Sequence, residues 1–249
     1  MSVTYNPTAH YDLEETDVEY LRHGDQGYLV RIYRPLGVTG VTPALLQVHG
    51  GQWSSSDRLQ CERINRALAS SGLLVAAIDF RLAPGHPYPQ QVQDINYAVR
   101  WLKAHAADYG ADPASVGGMG ASSGGHGIVL IAMRPHDSRY AALPLPEAPA
   151  LDATLGYVIS CWGIVDPTAR NAFAMANPNA GEGFGGAERL QRSTAGYFGD
   201  DATMSEGNPQ HMLDRGEPVV LPPLLVVQGD LDLNIPYQIP QKFAASWQQ

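Results

Sequence analysis

Cysteine is scarce in this sequence, which argues against a fold held together by disulfide bonds and against a zinc site built from cysteines. The 249 residues contain only two cysteines, Cys61 and Cys161, which are far apart and have no histidine cluster beside them. Neither a disulfide framework nor a zinc site is expected, and no metal or other cofactor is predicted. Both cysteines are expected to be small buried hydrophobic side chains.

Long apolar runs and an excess of positive charge are also missing. No stretch approaches the ~18 apolar residues of a membrane span, and the N-terminal MSVTYNPTAHYDLEE has no basic segment followed by an apolar run. The formal net charge is −9 and the isoelectric point is near 5.2, so nucleic acid and anionic lipid would be repelled. The sequence predicts a cytoplasmic protein without a nucleic-acid partner or membrane span, and carries no signal of oligomeric state.

Apolar residues make up 44% of the chain, enough for one large core. From about residue 40 onward, strand-like runs alternate with helical patterns, which is typical of a mostly parallel sheet with helices on both faces. A glycine-containing turn between the first two runs predicts an antiparallel N-terminal hairpin at the sheet edge. We therefore predict one α/β domain over residues 1–249, with strands at 18–22, 28–34, 44–48, 73–79, 115–120, 155–160 and 224–228.

The clearest helical pattern covers residues 91–107, where apolar residues recur on one face. The last helix is predicted at residues 237–247. Between residues 162 and 218 the pattern weakens, and the stretch 177–186 is rich in turn-forming residues. This region is expected to be either a lid or cap-like insertion, or a long surface connection.

Gly120-Ala121-Ser122-Ser123-Gly124 is the sharpest motif in the chain. G-x-S-x-G occurs by chance in glycine-rich sequences, so its context decides its meaning. An apolar strand precedes it and a helix-compatible run follows, as a nucleophile elbow requires. The helix N-terminus would also favour developing negative charge. Ser122 is the predicted nucleophile, and a phosphate-type loop or a plain turn is the alternative.

His49-Gly50-Gly51-Gln52-Trp53 follows the third predicted strand. Glycines let the backbone curl so that N–H groups point into a cleft, where they can hold an oxyanion together with the N–H of Ser123. Gly51 and Gln52 are the expected donors, and Gly50 is expected to shape the loop.

The two ends of the same motif have separate interpretations. His49 precedes the glycines, so it is expected to brace the loop by a hydrogen bond rather than to act as the base. Trp53 is expected either to line the substrate site or to be a buried aromatic wedge.

Four motifs together resemble the hormone-sensitive-lipase-like branch of the α/β-hydrolase superfamily. They are HGGQW at 49–53, DFRLAPGHPYP at 79–89, GASSGGH at 120–126 and VVQGDLDLNIP at 226–236, and the resemblance extends over about residues 28–249. It implies an α/β-hydrolase fold and carboxylesterase or lipase activity. Some members with an HGGxW loop are arylformamidases or feruloyl-type esterases. The family commonly has H-G-G-G where Gln52 supplies the last position here.

The resemblance also implies the catalytic acid, which in the family follows the strand predicted at 224–228. The matching residue in Gly229-Asp230-Leu231-Asp232 is Asp232, which would orient the base and stabilise an imidazolium. Asp230 is the alternative, and an Asx-type turn is its other interpretation.

The triad of this fold runs Ser, Asp or Glu, then His along the chain, but all eight histidines precede Asp232. The last predicted helix ends without a cap or stop signal, so we expect a C-terminally truncated chain that lacks a final strand and a histidine-bearing loop. His86, His126 and His211 are the alternatives for the base, although His126 is expected to be a packing residue.

The predicted function is hydrolysis of a small-molecule carboxylic ester through an acyl-enzyme on Ser122. Two alternatives stay open. One is an arylformamidase-type amide hydrolase, suggested by the Trp53 position. The other is a catalytically inactive hydrolase-like ligand-binding protein, suggested by the missing histidine.

Overall fold

The computed structural model describes residues 5–249. A mixed sheet of seven strands forms the centre of this part of the chain. The strands are β1 (Leu13–His23), β2 (Gln26–Pro35), β3 (Thr42–Val48), β4 (Leu74–Ile78), β5 (Ala111–Ala121), β6 (Val158–Cys161) and β7 (Leu224–Val227). Their order in the sheet is β1-β2-β4-β3-β5-β6-β7, in which the pairs β1–β2 and β2–β4 are antiparallel and all other pairs are parallel. The predicted mostly parallel sheet with an antiparallel N-terminal hairpin is confirmed.

Helices cover both faces of this sheet. The helix predicted at 91–107 ends two residues earlier, because Ala106–Tyr109 tighten into a 3₁₀ turn that stops at Gly110 in a left-handed conformation. None of the helices within residues 5–249 is long and apolar enough to cross a bilayer. The α-helices are α1 (Glu62–Ser70), α2 (Gln90–His105), α3 (Ser123–Met133), α4 (Pro167–Ala176), α5 (Gly186–Phe198), α6 (Asp201–Glu206), α7 (Pro209–Asp214) and α8 (Gln238–Trp247).

The buried centre of the sheet explains which strands were easy to predict. All five residues of β4 are buried, as expected of an inner strand covered on both faces. The edge strand β1 is longer than the predicted 18–22, because its first half carries acidic residues on the solvent side that mask the apolar alternation. Asp17 there pairs with Arg31 of β2 and with Arg58, which holds the edge in register.

Helix α3 is buried along its whole length and packs between the sheet and α2. It begins directly after β5, so its N-terminus lies at the carboxyl edge of the parallel strands, the usual place for a site in an α/β fold. The loop after β4 reaches the same edge. It is tied to α2 by Arg81, whose guanidinium donates to the buried carboxylate of Asp94 at 2.7 and 3.0 Å.

Residues 162–218 contain α4 to α7. The turn-rich stretch within them has left-handed glycines at Gly181, Gly183 and Gly185. It is held at two points: the N–H of Gly181 donates to the carbonyl of Leu233 at 2.8 Å, and the carbonyl of Phe184 accepts from the side chain of Gln52 at 3.1 Å. This stretch therefore contacts both the oxyanion-type loop and the loop after β7.

Candidate active site

Ser122 occupies a sharp turn between β5 and α3. Its backbone has φ 53° and ψ −118°, a region that non-glycine residues rarely adopt and that characterises a nucleophile elbow. Neighbouring backbone holds this conformation in place: the N–H of Ser122 donates to the carbonyl of Cys161 at 3.0 Å, and its carbonyl accepts from Ile164 at 3.1 Å. The predicted elbow is therefore present, with its serine side chain on the wall of a cavity.

The glycines of the motif are required by close backbone approach. A Cβ on Gly120 would overlap the backbone of Gly124, and a Cβ on Gly124 would overlap the carbonyl groups of Val48 and His49. The start of α3 thus lies directly against the end of β3. This contact brings the elbow beside the loop that carries the HGGQW motif.

The three predicted oxyanion donors have free N–H groups. Within residues 5–249, the backbone N–H groups of Gly51, Gln52 and Ser123 donate to no protein acceptor, although Gln52 and Ser123 are buried. Unpaired buried N–H groups are uncommon, so they require an explanation such as a ligand. Gly50 differs, because its N–H donates to the side-chain carbonyl of Gln60 at 2.6 Å and so fixes the loop.

His49 lies behind the loop. Its Nδ1 donates to the carbonyl of Gly50 at 2.7 Å, and its ring stacks on Phe80 with centroids 4.1 Å apart. Burial lowers the pKa of His49, so the ring is neutral at pH 7. These contacts are those of a brace.

Trp53 is a buried aromatic residue, the second of the two interpretations that its sequence position allowed. Its side chain has no exposed surface, it is not part of the cavity wall, and its ring stacks on Tyr197 of α5 with centroids 4.9 Å apart. The expectation that Trp53 lines the substrate site does not fit this geometry, because Tyr197 of α5 covers the indole ring and separates it from the cavity. The sequence pattern of α5 is weak and did not reveal this contact.

His126 bonds to two elements. The indole N–H of Trp53 donates to its Nδ1 at 3.3 Å, so the ring proton must be on Nε2, which donates to the carbonyl of Gly207 at 2.8 Å. Burial lowers the pKa of His126 to about 4, and the hydrogen bond to Gly207 and the charge of Glu206 oppose this shift. Both nitrogens are engaged away from Ser122, so the expected packing role fits the geometry and a role as base does not.

The folded protein is expected to lose stability in acid through His126. Its ordinary pKa of 6.5 falls to about 4 on folding, so between these values the unfolded chain binds more protons and stability decreases as pH falls. The full loss is at most about 3 kcal/mol, reached below about pH 4. Urea unfolding of the wild type and of His126→Gln at about pH 7 and about pH 4.5 measures it. The variant should be less stable at pH 7 but less acid-sensitive, and equal pH slopes for the two proteins would contradict this.

Asp232, the predicted acid, lines the same cavity as Ser122. Its Oδ1 accepts from the N–H groups of Asn234 at 2.7 Å and Ile235 at 2.9 Å, and its Oδ2 accepts from the side chain of Gln228 at 3.0 Å. These bonds fix the carboxylate after β7. Asp230 is exposed and is not part of the cavity wall.

None of the histidines in the described chain lines the cavity. His86 contacts the side chain of Gln90 at 3.0 Å, and His211 contacts the hydroxyl of Ser205 at 3.0 Å. The three alternatives for the base are thus each directed elsewhere. Residues 5–249 also contain no group of three or more His, Cys, Asp or Glu side chains arranged to hold a metal ion.

The cavity has a volume of about 1440 Å³ and extends well beyond the motifs. Part of its wall comes from α1 and from the stretch around Phe184, neither of which carries a recognisable sequence motif, and part comes from the loop after β7 that carries Asp232. Cys61 lies on this wall, but burial raises the pKa of its thiol to about 11, so it is protonated at pH 7. Both cysteines are buried, as predicted. Wall residues that sequence reasoning missed are Gln60, Arg63, Ile64, Trp162, Phe184, Arg189 and Leu231.

The sequence pattern of the BD-FAE family matches residues 30–246, most of the chain. The chain belongs to this family. Among curated relatives, the BD-FAE chain is 32% identical over 166 residues to probable carboxylic ester hydrolase LipM of Mycobacterium tuberculosis, covering 66% of this chain and 37% of the relative. It is 27% identical over 223 residues to esterase LipC of the same organism, covering 88% of this chain and 52% of the relative. The chain thus spans about half or less of the length of these two relatives.

Solved structures give the same fold for this BD-FAE chain. Esterase B from Lactobacillus rhamnosis superposes with a TM-score of 0.76 at 22% identity, covering 96% of this chain and 73% of that one. The carboxylesterase EstE1, cloned from a metagenomic library, superposes with a TM-score of 0.74 at 21% identity, covering 96% and 76%. The predicted resemblance to the esterase branch of the α/β-hydrolases is confirmed.

Proposed function

We propose that this protein hydrolyses small carboxylic esters, with Ser122 as the nucleophile of an acyl-enzyme. The observation that carries the proposal is the elbow itself: a strained serine at the N-terminus of a buried helix, on the wall of a large cavity. Backbone strain of this kind persists only where surrounding structure maintains it, and it concentrates at functional sites. The esterase names of the relatives add independent support.

In the proposed reaction, Ser122 Oγ attacks the ester carbonyl and its proton is transferred to a general base. The N–H groups of Gly51, Gln52 and Ser123 stabilise the oxyanion that forms. The intermediate expels the alcohol, which takes up the proton, and leaves an acyl group on Ser122. Water then attacks this acyl group, releases the carboxylic acid and restores the serine.

Asp232 is proposed to orient the base and to stabilise its protonated form. Its two backbone donors and the Gln228 amide hold the carboxylate in one orientation, as this role requires. We assign the base to none of the histidines described above, because each is bonded away from Ser122.

Covalent labelling tests the nucleophile directly. The protein is treated with an organophosphonate probe, and the adduct is located by peptide mass spectrometry. We expect one adduct, on Ser122, in the wild type and in Ser54→Ala, a neighbouring serine that is exposed and lies outside the cavity wall. Ser122→Ala should show none.

The same experiment separates the inactive alternative. A wild-type protein that takes no adduct but binds an ester with unchanged affinity after Ser122→Ala would contradict the hydrolase proposal. That outcome would support a ligand-binding protein built on the hydrolase fold.

A further inference from the structure

Two arginines stand apart from the other basic residues of the chain. Of the 16 lysines and arginines, Arg63 and Arg189 are the two that form neither an ion pair nor a hydrogen bond with any residue of 5–249. All the others have a carboxylate, carbonyl, amide or hydroxyl partner. In a protein with an excess of acidic residues, unpaired guanidinium groups are unexpected.

Both arginines line the cavity that contains Ser122. Arg63 comes from α1 and Arg189 from α5, so two separate elements bring a cation to the same space. Both residues are exposed, which makes their donors accessible to a ligand in this open cavity. The guanidinium group suits a carboxylate because its planar donors can form two parallel bonds.

Two acidic residues share the cavity wall and must be weighed against the arginines. Asp232 has its carboxylate occupied by three hydrogen-bond donors. Glu182 is exposed and forms no ion pair with either arginine within the described residues. The cations are therefore not neutralised by a fixed partner, although Glu182 would weaken the binding of any anion.

We propose that the cavity takes esters that carry a free carboxylate, and that Arg63 and Arg189 bind this group. The inference rests on the proposed function and names its substrate class. A net charge of −9 would repel such a substrate from the protein as a whole. The two unpaired arginines place positive charge, free of a fixed partner, on the wall of the cavity that contains Ser122.

Binding to a protein that cannot turn the ligand over tests the proposal. In a Ser122→Ala background, calorimetry compares each carboxylate ligand with its methyl-capped, neutral form. One pair carries the carboxylate on the acyl side, as the mono-aryl ester of adipic acid. The other carries it on the alcohol side, as the butyrate ester of 4-(hydroxymethyl)benzoic acid. The two arms identify which side of the ester faces the arginines.

We expect the carboxylate form to bind at least ~10-fold more tightly than the capped form in one arm. Arg63→Gln and Arg189→Gln should each reduce this preference roughly 3-fold, and the double variant should abolish it. Glu182→Gln should increase it. Arg66→Gln and Arg192→Gln are matched controls on α1 and α5, because they remove the same charge from arginines that are paired and outside the cavity wall.

No preference in either arm, or an equal loss in the control variants, would overturn the proposal. Turnover of the capped esters by the wild type is measured in parallel. Turnover without a carboxylate preference refutes the substrate class alone. A carboxylate preference that depends on both arginines, without turnover of any ester, refutes the hydrolase proposal and leaves the anion site standing.

Discussion

Replacing Ser122 with alanine is expected to lower kcat/KM for short esters by roughly 10⁴-fold or more. The substitution removes the atom that is proposed to form the acyl-enzyme and leaves the cavity and the proposed oxyanion donors in place. A residual rate above that of water should persist, because the free N–H groups of Gly51 and Gln52, the proposed oxyanion donors, would remain in place. Hydrolysis of p-nitrophenyl acetate and butyrate under initial-rate conditions measures the effect.

Ser54→Ala is the matched control for this measurement. Ser54 lies in the loop after Gln52 and is exposed, and within the described residues its hydroxyl makes only a long 3.5 Å contact with the carbonyl of Gly51. Its rate should stay within about 3-fold of the wild type, as is usual for exposed substitutions outside a site. A Ser122→Ala protein as fast as the Ser54→Ala protein would rule out Ser122 as the nucleophile.

Gly124→Ala and Gly196→Ala are expected to change stability in opposite directions. Both glycines lie in helices, α3 and α5 respectively. At Gly124 the added methyl group would overlap backbone carbonyls that have no rotamer to change, so we expect a loss of roughly 3 kcal/mol or more. At Gly196 it would meet Pro84 at an ordinary 3.7 Å, so the higher helix propensity of alanine should add about 0.5–1 kcal/mol.

Urea unfolding monitored by circular dichroism compares the two variants with the wild type. The comparison is sharp because the chemical change is identical and only the surroundings differ. Two variants of equal stability would show that α3 can move away from β3, which would contradict the rigid contact inferred for the elbow. Because that contact positions Ser122, Gly124→Ala should also reduce the yield of phosphonate adduct.

The fold was predictable where burial imposes a simple pattern. The segment that forms β4 is apolar throughout, and the apolar residues of α2 repeat at helical spacing. The pattern of apolar residues along the sequence therefore located both elements. The edge strand β1 was underestimated because charged residues on an exposed face obscure the alternation. Segment 162–218 was uncertain for a related reason: its short helices α6 and α7 are stabilised by tertiary contacts rather than by long periodic patterns.

Some residues of the candidate site could be predicted from the sequence and others could not. Ser122 and the HGG loop were predicted from motifs, because backbone turns there require particular residues at fixed spacings, whereas Asp232 was predicted from the family resemblance. Trp53 could not be assigned, since its neighbour Tyr197 lies far along the chain. Arg63 and Arg189 carried no signal either: what distinguishes them is that they lack partners, and partners become visible only after folding.

The hydrogen bonds around Ser122 order the site during folding, before any ligand binds. The backbone of Ser122 is fixed by Cys161 and Ile164, the HGG loop by Gln60, and Trp53 by His126. These bonds form as the chain folds, so an arriving ligand would not have to order the proposed oxyanion donors. Less conformational entropy is lost on association, and donors that are already aligned need not reorient as charge develops. The stability of the fold and the readiness of the site thus depend on the same set of bonds.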